Sequence, residues 1–162
     1  MIMYRECIMK KILLIIVLLV TLPAVAQEKR TMQQEADDKK FQQGLFFVSI
    51  NEHQKALNEF YEYLDIYVDG LHRAKAYRFI AAIYFDNSQY TKAINVYKRL
   101  FEEFPLTDDG MYSLFQIGIC YNKMGFEDDA IKAFTQLIKE YPDSNYAKDA
   151  STMIELLKIA DN

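Results

Sequence analysis

The strongest constraint on this chain is a period. Ala56, Ala93 and Ala130 stand 37 residues apart, and other positions recur at the same interval. Gly44, Ala81 and Gly118 form one series; Phe47, Tyr84 and Tyr121 another; Phe60, Tyr97 and Phe134 a third. Tyr63, Leu100 and Leu137 follow, and then Val68, Pro105 and Pro142. Units of this size are too short to bury an apolar face alone, so they must stack and share one interior.

Each unit reads as two helices. In the second helix of copy two, Ala93, Ile94, Tyr97, Leu100, Phe101 and Phe104 make a stripe with a period near 3.6. Small residues at Ala81, Gly118, Ala93 and Ala130 let neighbouring helices approach, and Tyr84, Tyr121, Tyr97 and Phe134 fill the space beside them. Pro105 and Pro142 stop the helices before them. Thr107 and Ser144 are placed to cap the helices that follow. Asn51, Ser88 and Gly125 occupy equivalent turns inside the pairs; Asn51 and Gly125 suit the left-handed backbone such turns need, and Ser88 suits it less.

Copy one is degenerate. Lys40 and Gln43 stand where the other copies are apolar, as expected of a terminal unit with one unpacked face. A last helix over 146–159 carries Glu155 in place of the small residue and is expected to act as a solvating cap. The fold class expected is therefore all-α, an α-solenoid of three helix hairpins (about 37–73, 74–110 and 111–147) with a C-terminal capping helix.

Two copies carry a more specific pattern: Tyr77, Ile80, Ala81, Tyr84, Ala93, Tyr97, Leu100, Pro105, then Leu114, Ile117, Gly118, Tyr121, Ala130, Phe134, Leu137, Pro142. This resembles the tetratricopeptide (TPR) repeat, whose usual period is about 34 residues, over about residues 37–162. Phe104-Pro105-Leu106-Thr107 and Tyr141-Pro142-Asp143-Ser144 resemble the bacterial envelope subgroup. That subgroup includes the repeats of the periplasmic Tol–Pal-associated cell-division coordinator and of the lipoprotein partner in outer-membrane β-barrel assembly. The coordinator carries a coiled coil before its repeats, whereas residues 27–36 here form a polar lead-in without heptads.

The resemblance implies a non-catalytic scaffold whose first helices line a concave groove for a protein or peptide partner. Carried onto this sequence, the groove residues are Phe41 and Leu45 in copy one, Lys75, Arg78 and Phe85 in copy two, and Tyr112, Phe115, Asn122 and Lys123 in copy three. Aromatic rings with a few convergent cations suit an extended peptide or a helix. Lys75, Arg78 and Lys123 suit a carboxylate, including a C-terminus. The Lys/Asn/Arg clamp of chaperone-binding members is not matched. For Phe41, Leu45 and Ile119, packing between adjacent helices is the competing expectation.

The N-terminus reads as an address. Met9-Lys10-Lys11, an apolar run from Ile12 to Leu22, and Ala24-Val25-Ala26 describe a signal peptide over residues 1–26, cleaved near Ala26. An uncleaved inner-membrane anchor is the alternative. No cysteine follows the cleavage site, so no stable lipid anchor is expected. Removal of Arg5, Lys10, Lys11 and Glu6 moves the net charge from −4 to −6. That acidic balance does not suit nucleic acid, and a periplasmic location is expected.

Residues for chemistry are scarce. His53 and His72 lie in separate segments with no clustered Cys or His, so neither a metal site nor a cofactor is expected. No nucleophile elbow or phosphate-binding glycine loop is present. Acidic pairs such as Asp108-Asp109 and Asp128-Asp129 fit helix starts and solvated faces. Cys120 reads as a small buried hydrophobe, with intermolecular pairing as the alternative. The expected function is an exported adaptor in outer-membrane assembly, envelope maintenance or cell division. The alternatives are an accessory subunit positioning an envelope enzyme or secretion component, and a self-assembling structural protein.

Overall fold

A computed structural model gives the structure, which describes residues 31–160; the segment read as a signal peptide lies outside the described residues. Among the described residues there are seven helices and no strand. Helix α1 spans 31–49, so residues 31–36 of the polar lead-in belong to it. It is followed by α2 (His53–Ile66), α3 (Arg73–Asp86), α4 (Tyr90–Glu103), α5 (Asp108–Lys123), α6 (Glu127–Glu140) and α7 (Asn145–Ala160). From α2 onward each helix packs on the next one in the chain, and α5 also touches α7. The fold is an all-α solenoid of stacked hairpins.

The repeat supplies its own core. Ala56, Ala93 and Ala130 are fully buried, as are Phe60 and Phe134. A side chain on Gly44 or Gly118 would collide with the ring of Phe60 or Phe134 respectively. The glycines therefore let each ring lie flat on a helix backbone and bury its whole face.

The turns inside the hairpins share one closure. Glu52, Gln89 and Phe126 donate their backbone N–H groups to the carbonyls of Phe47, Tyr84 and Tyr121 at 2.9, 2.8 and 2.9 Å. The residue before each donor is left-handed: Asn51 at φ 58°, Ser88 at φ 58° and Gly125 at φ 75°. This is the Schellman arrangement, which satisfies the last carbonyls of α1, α3 and α5. Ser88 adopts it although an L side chain is disfavoured there. Ser88→Gly should therefore raise the unfolding free energy by about 0.5–1 kcal/mol, read as a higher urea midpoint at unchanged slope. A lower midpoint would show that no strain is held at this turn.

The connections between hairpins differ from one another. Helix α4 ends at Glu103 and α6 at Glu140, two residues before Pro105 and Pro142 respectively. Thr107 Oγ1 accepts from the N–H of Gly110 at 3.2 Å and Ser144 Oγ from that of Ala147 at 3.0 Å, so both caps form. The first connection has no proline and is tied down by Arg73, which is only 8 % exposed. Its Nη1 donates to the carbonyls of Leu64 and Tyr67 at 2.6 and 2.9 Å, closing the end of α2. Its Nε and Nη2 grip both carboxylate oxygens of Glu103 at 2.5 and 2.9 Å, and Tyr77 donates to the same carboxylate at 3.0 Å. One residue thereby joins α2, α3 and α4.

At the N-terminal end of the described residues, Lys40 joins α1 to α2 with ion pairs of 2.7 Å to Glu59 and to Glu62. Cys120 is fully buried, and burial pushes its thiol up to about 12. The alternative of intermolecular pairing fails on that burial, since a neutral, enclosed thiol is neither reactive nor reachable.

Candidate functional site

The expected groove face belongs to α1, α3 and α5. Its most regular feature is a seam between successive first helices of the hairpins. Phe41, Arg78 and Phe115 are repeat equivalents, and so are His72, Asp109 and Tyr146. Each member of the first set meets its counterpart in the second. Phe41 stacks on His72 with ring centroids 4.5 Å apart and planes 15° apart. Arg78 Nη1 donates to Asp109 Oδ1 at 2.9 Å. Phe115 lies 6.1 Å from the ring of Tyr146. The first contact is reinforced by His72 Nε2, 2.5 Å from Asp38 Oδ1, and the last by Tyr112, whose ring is 5.9 Å from that of Tyr146.

These contacts correct part of the sequence reading. Phe41 is buried among Phe60, Tyr63 and Phe79 and does not reach an open groove. Phe115 is half-buried, its ring 5.5 Å from that of Phe134. Both side chains lie in the seam because the gap between adjacent helices is filled from this register. Leu45 is half-buried against the core, and Phe85 sets its ring against Tyr90 at 5.3 Å. Asn122, half-buried, and Lys123, exposed, lie at the C-terminal end of α5.

Lys75, Arg78 and Tyr112 do come together. With Phe79 and Ala82 they line a cleft of about 380 Å³ between α3 and α5. Arg78 lies over the Tyr112 ring, its guanidinium carbon 4.1 Å from the centroid. Burial works against its charge, but the hydrogen bond to Asp109, together with the charges of Asp109, Tyr112 and Tyr146, outweighs that and holds the guanidinium above its usual range. One of its donors is thus already engaged. Lys75 is exposed and makes no hydrogen bond or ion pair among the described residues, so it is the uncommitted charge of this cleft. Phe79 escaped the sequence reading because the groove offsets skip it; its ring stacks on Phe60 at 5.4 Å and forms the cleft wall.

The arrangement is a cleft with an aromatic wall, a stacked guanidinium and a free ammonium. Among the described residues no group of three His, Cys, Asp or Glu is placed to hold a metal ion. No described helix is long and apolar enough to cross a membrane.

The family model described as "YfiO: Outer membrane lipoprotein" matches residues 33–160. The chain belongs to the YfiO family. A search of the curated proteins finds no match. Among solved structures, this YfiO-family chain is similar to the TPR domain of Arabidopsis OM64, with 16% identity and a TM-score of 0.57 over 75% of this chain and 96% of that one. It is similar to the TPR2AB domain of yeast Sti1, solved in complex with pHSP90, with 18% identity and a TM-score of 0.63 over 78% of this chain and 49% of that one. It is also similar to the Yersinia enterocolitica type III secretion translocator chaperone SycD, with 15% identity and a TM-score of 0.59 over 79% of this chain and 96% of that one. At these identities the likeness establishes a shared TPR architecture.

Proposed function

We propose that this chain is an exported, non-catalytic TPR scaffold that holds a protein or peptide partner in the bacterial cell envelope. The observation that carries the reading is the cleft between α3 and α5, where Lys75, Arg78 and Tyr112 converge on the first-helix wall. A free ammonium beside a ring-stacked guanidinium suits a carboxylate, and Phe79 and Ala82 suit the apolar part of a peptide. The YfiO family's description as an outer membrane lipoprotein supports an envelope setting. The yeast Sti1 domain, solved with pHSP90, supports a peptide-binding use of the same architecture. On this reading residues 1–26 direct export, residues 37–162 form the repeat domain, and the mature chain works in the periplasm.

Peptide binding tests it. A fluorescein-labelled extended peptide with a free C-terminus should bind the full chain, and Lys75→Glu should weaken that binding about tenfold. Amidating the peptide's C-terminus should weaken it similarly. Equal affinities for the free and amidated peptides, with no effect of Lys75→Glu, would remove the cleft as the recognition site.

A further inference from the structure

The cleft between α3 and α5 lies where the middle hairpin departs from its neighbours. The repeat equivalents of Ala82 are Leu45 and Ile119, both half-buried against the core. The equivalents of Phe79 are Gln42 and Gln116. The outer hairpins thus set a large aliphatic side chain and a polar amide where this one sets a methyl group and an aromatic ring. The first change removes bulk, and the second lines the space with apolar surface. Helix packing does not demand the small residue. The register that does demand one stands a residue earlier, where Gly44 and Gly118 admit the rings of Phe60 and Phe134.

Lys75, Arg78, Phe79 and Ala82 are spaced i, i+3, i+4 and i+7 along α3, so they share one face. Ala82 lies about 8 Å along the helix from the midpoint between Lys75 and Arg78. An extended peptide advances about 3.3 Å per residue and turns alternate side chains to the same side. Two residues cover about 7 Å, and the terminal carboxyl group covers the rest. A carboxylate held by the two cations therefore brings to Ala82 the side chain two residues before the terminal one.

Resting on the reading of this cleft as a site for a peptide C-terminus, we infer that Ala82 sets its specificity: the cleft takes a chain end with a large apolar side chain two residues before the terminal residue. Phe79 forms the wall against that side chain, Ala82 leaves the room for it, and Lys75 and Arg78 fix the register by holding the carboxylate. A volume of about 380 Å³ is at the small end of ligand sites, which suits one side chain and a chain terminus and not a whole helix.

Three fluorescein-labelled peptides with free C-termini test it, titrated with the full chain and followed by anisotropy. The first is Gly-Ser-Gly-Leu-Ser-Ser, the second has alanine for leucine, and the third, Gly-Ser-Gly-Ser-Leu-Ser, moves leucine one place on. The first should bind saturably and the other two about tenfold more weakly. Ala82→Leu installs the residue of the first hairpin at this register; in that variant leucine should lose its advantage, so that the first two peptides bind alike. Lys75→Glu should weaken all three. The inference would be overturned by equal binding of the leucine and alanine peptides to the wild-type chain, by equal binding of the shifted peptide, or by a leucine advantage that survives Ala82→Leu. If Lys75→Glu still weakened every peptide in that case, the cleft would stand as a carboxylate site without side-chain selection. Indifference of all three peptides to Lys75→Glu and to C-terminal amidation, or no saturable binding up to about 1 mM, would remove the cleft reading and the inference together.

Discussion

Phe134→Ala should lower the free energy of unfolding by about 3–5 kcal/mol. The ring is fully buried, 5.5 Å from Phe115, and lies on the bare backbone of Gly118. Truncation leaves a hole that glycine cannot help to fill, because Gly118 has no side chain to move into it. Collapse of α5 onto α6 would also pull apart the Phe115–Tyr146 contact with α7. In a stacked repeat, losing one junction removes support from the units on both sides. Urea denaturation of wild type and variant at matched slopes measures the loss. A change below about 1 kcal/mol would mean that the junction repacks freely and that the glycine–phenylalanine pair is not what holds it.

Arg73→Met should cost about 3 kcal/mol. The substitution keeps much of the aliphatic stem but strips the carbonyls of Leu64 and Tyr67 and the Glu103 carboxylate of their charged partner. The cost falls toward the lower end of the range for broken buried pairs because Glu103, with its side chain 31% exposed, regains water. The pairing also sets a pH dependence. The bond from Arg73 holds the Glu103 carboxyl below its usual value of 4.5, with the Tyr77 hydroxyl bond adding to it and burial opposing. A carboxyl depressed in the folded state stabilises fully above its unfolded value and loses that contribution as pH falls through the folded one. The stability gap between wild type and Glu103→Gln should therefore be widest at neutral pH and shrink as pH falls below 4.5. A gap that stays constant down to about pH 3 would show that the ionised pair contributes nothing.

The periodic part of this molecule was legible from residue types alone. Alternating small and aromatic positions such as Gly118 and Phe134 dictate close helix pairs, and proline, threonine and serine mark where helices stop and restart. What periodicity does not encode is how far one helix reaches across to another. Phe41, Arg78 and Phe115 share a register, and that register placed them on a groove face; in the structure each instead meets its counterpart across the seam between successive first helices. Buried charge was equally hidden. Asp37 sits in a run of polar residues that reads as solvated, and Arg73 reads as an ordinary charge at the start of a helix. Both are buried because the connection after α2 lacks a proline and folds back along α1, a path that depends on Asp37 holding the Leu71 N–H and Arg73 holding the α2 carbonyls.

The three rungs of the seam share a geometry and differ in chemistry. The middle one is a partly exposed ion pair between Arg78 and Asp109, whereas the last is made of rings alone. Dissolved electrolyte weakens the former and leaves the latter nearly untouched. The wall therefore responds to ionic strength at its middle joint and hardly at its last, and the responsive joint lies beside the cleft that contains Lys75.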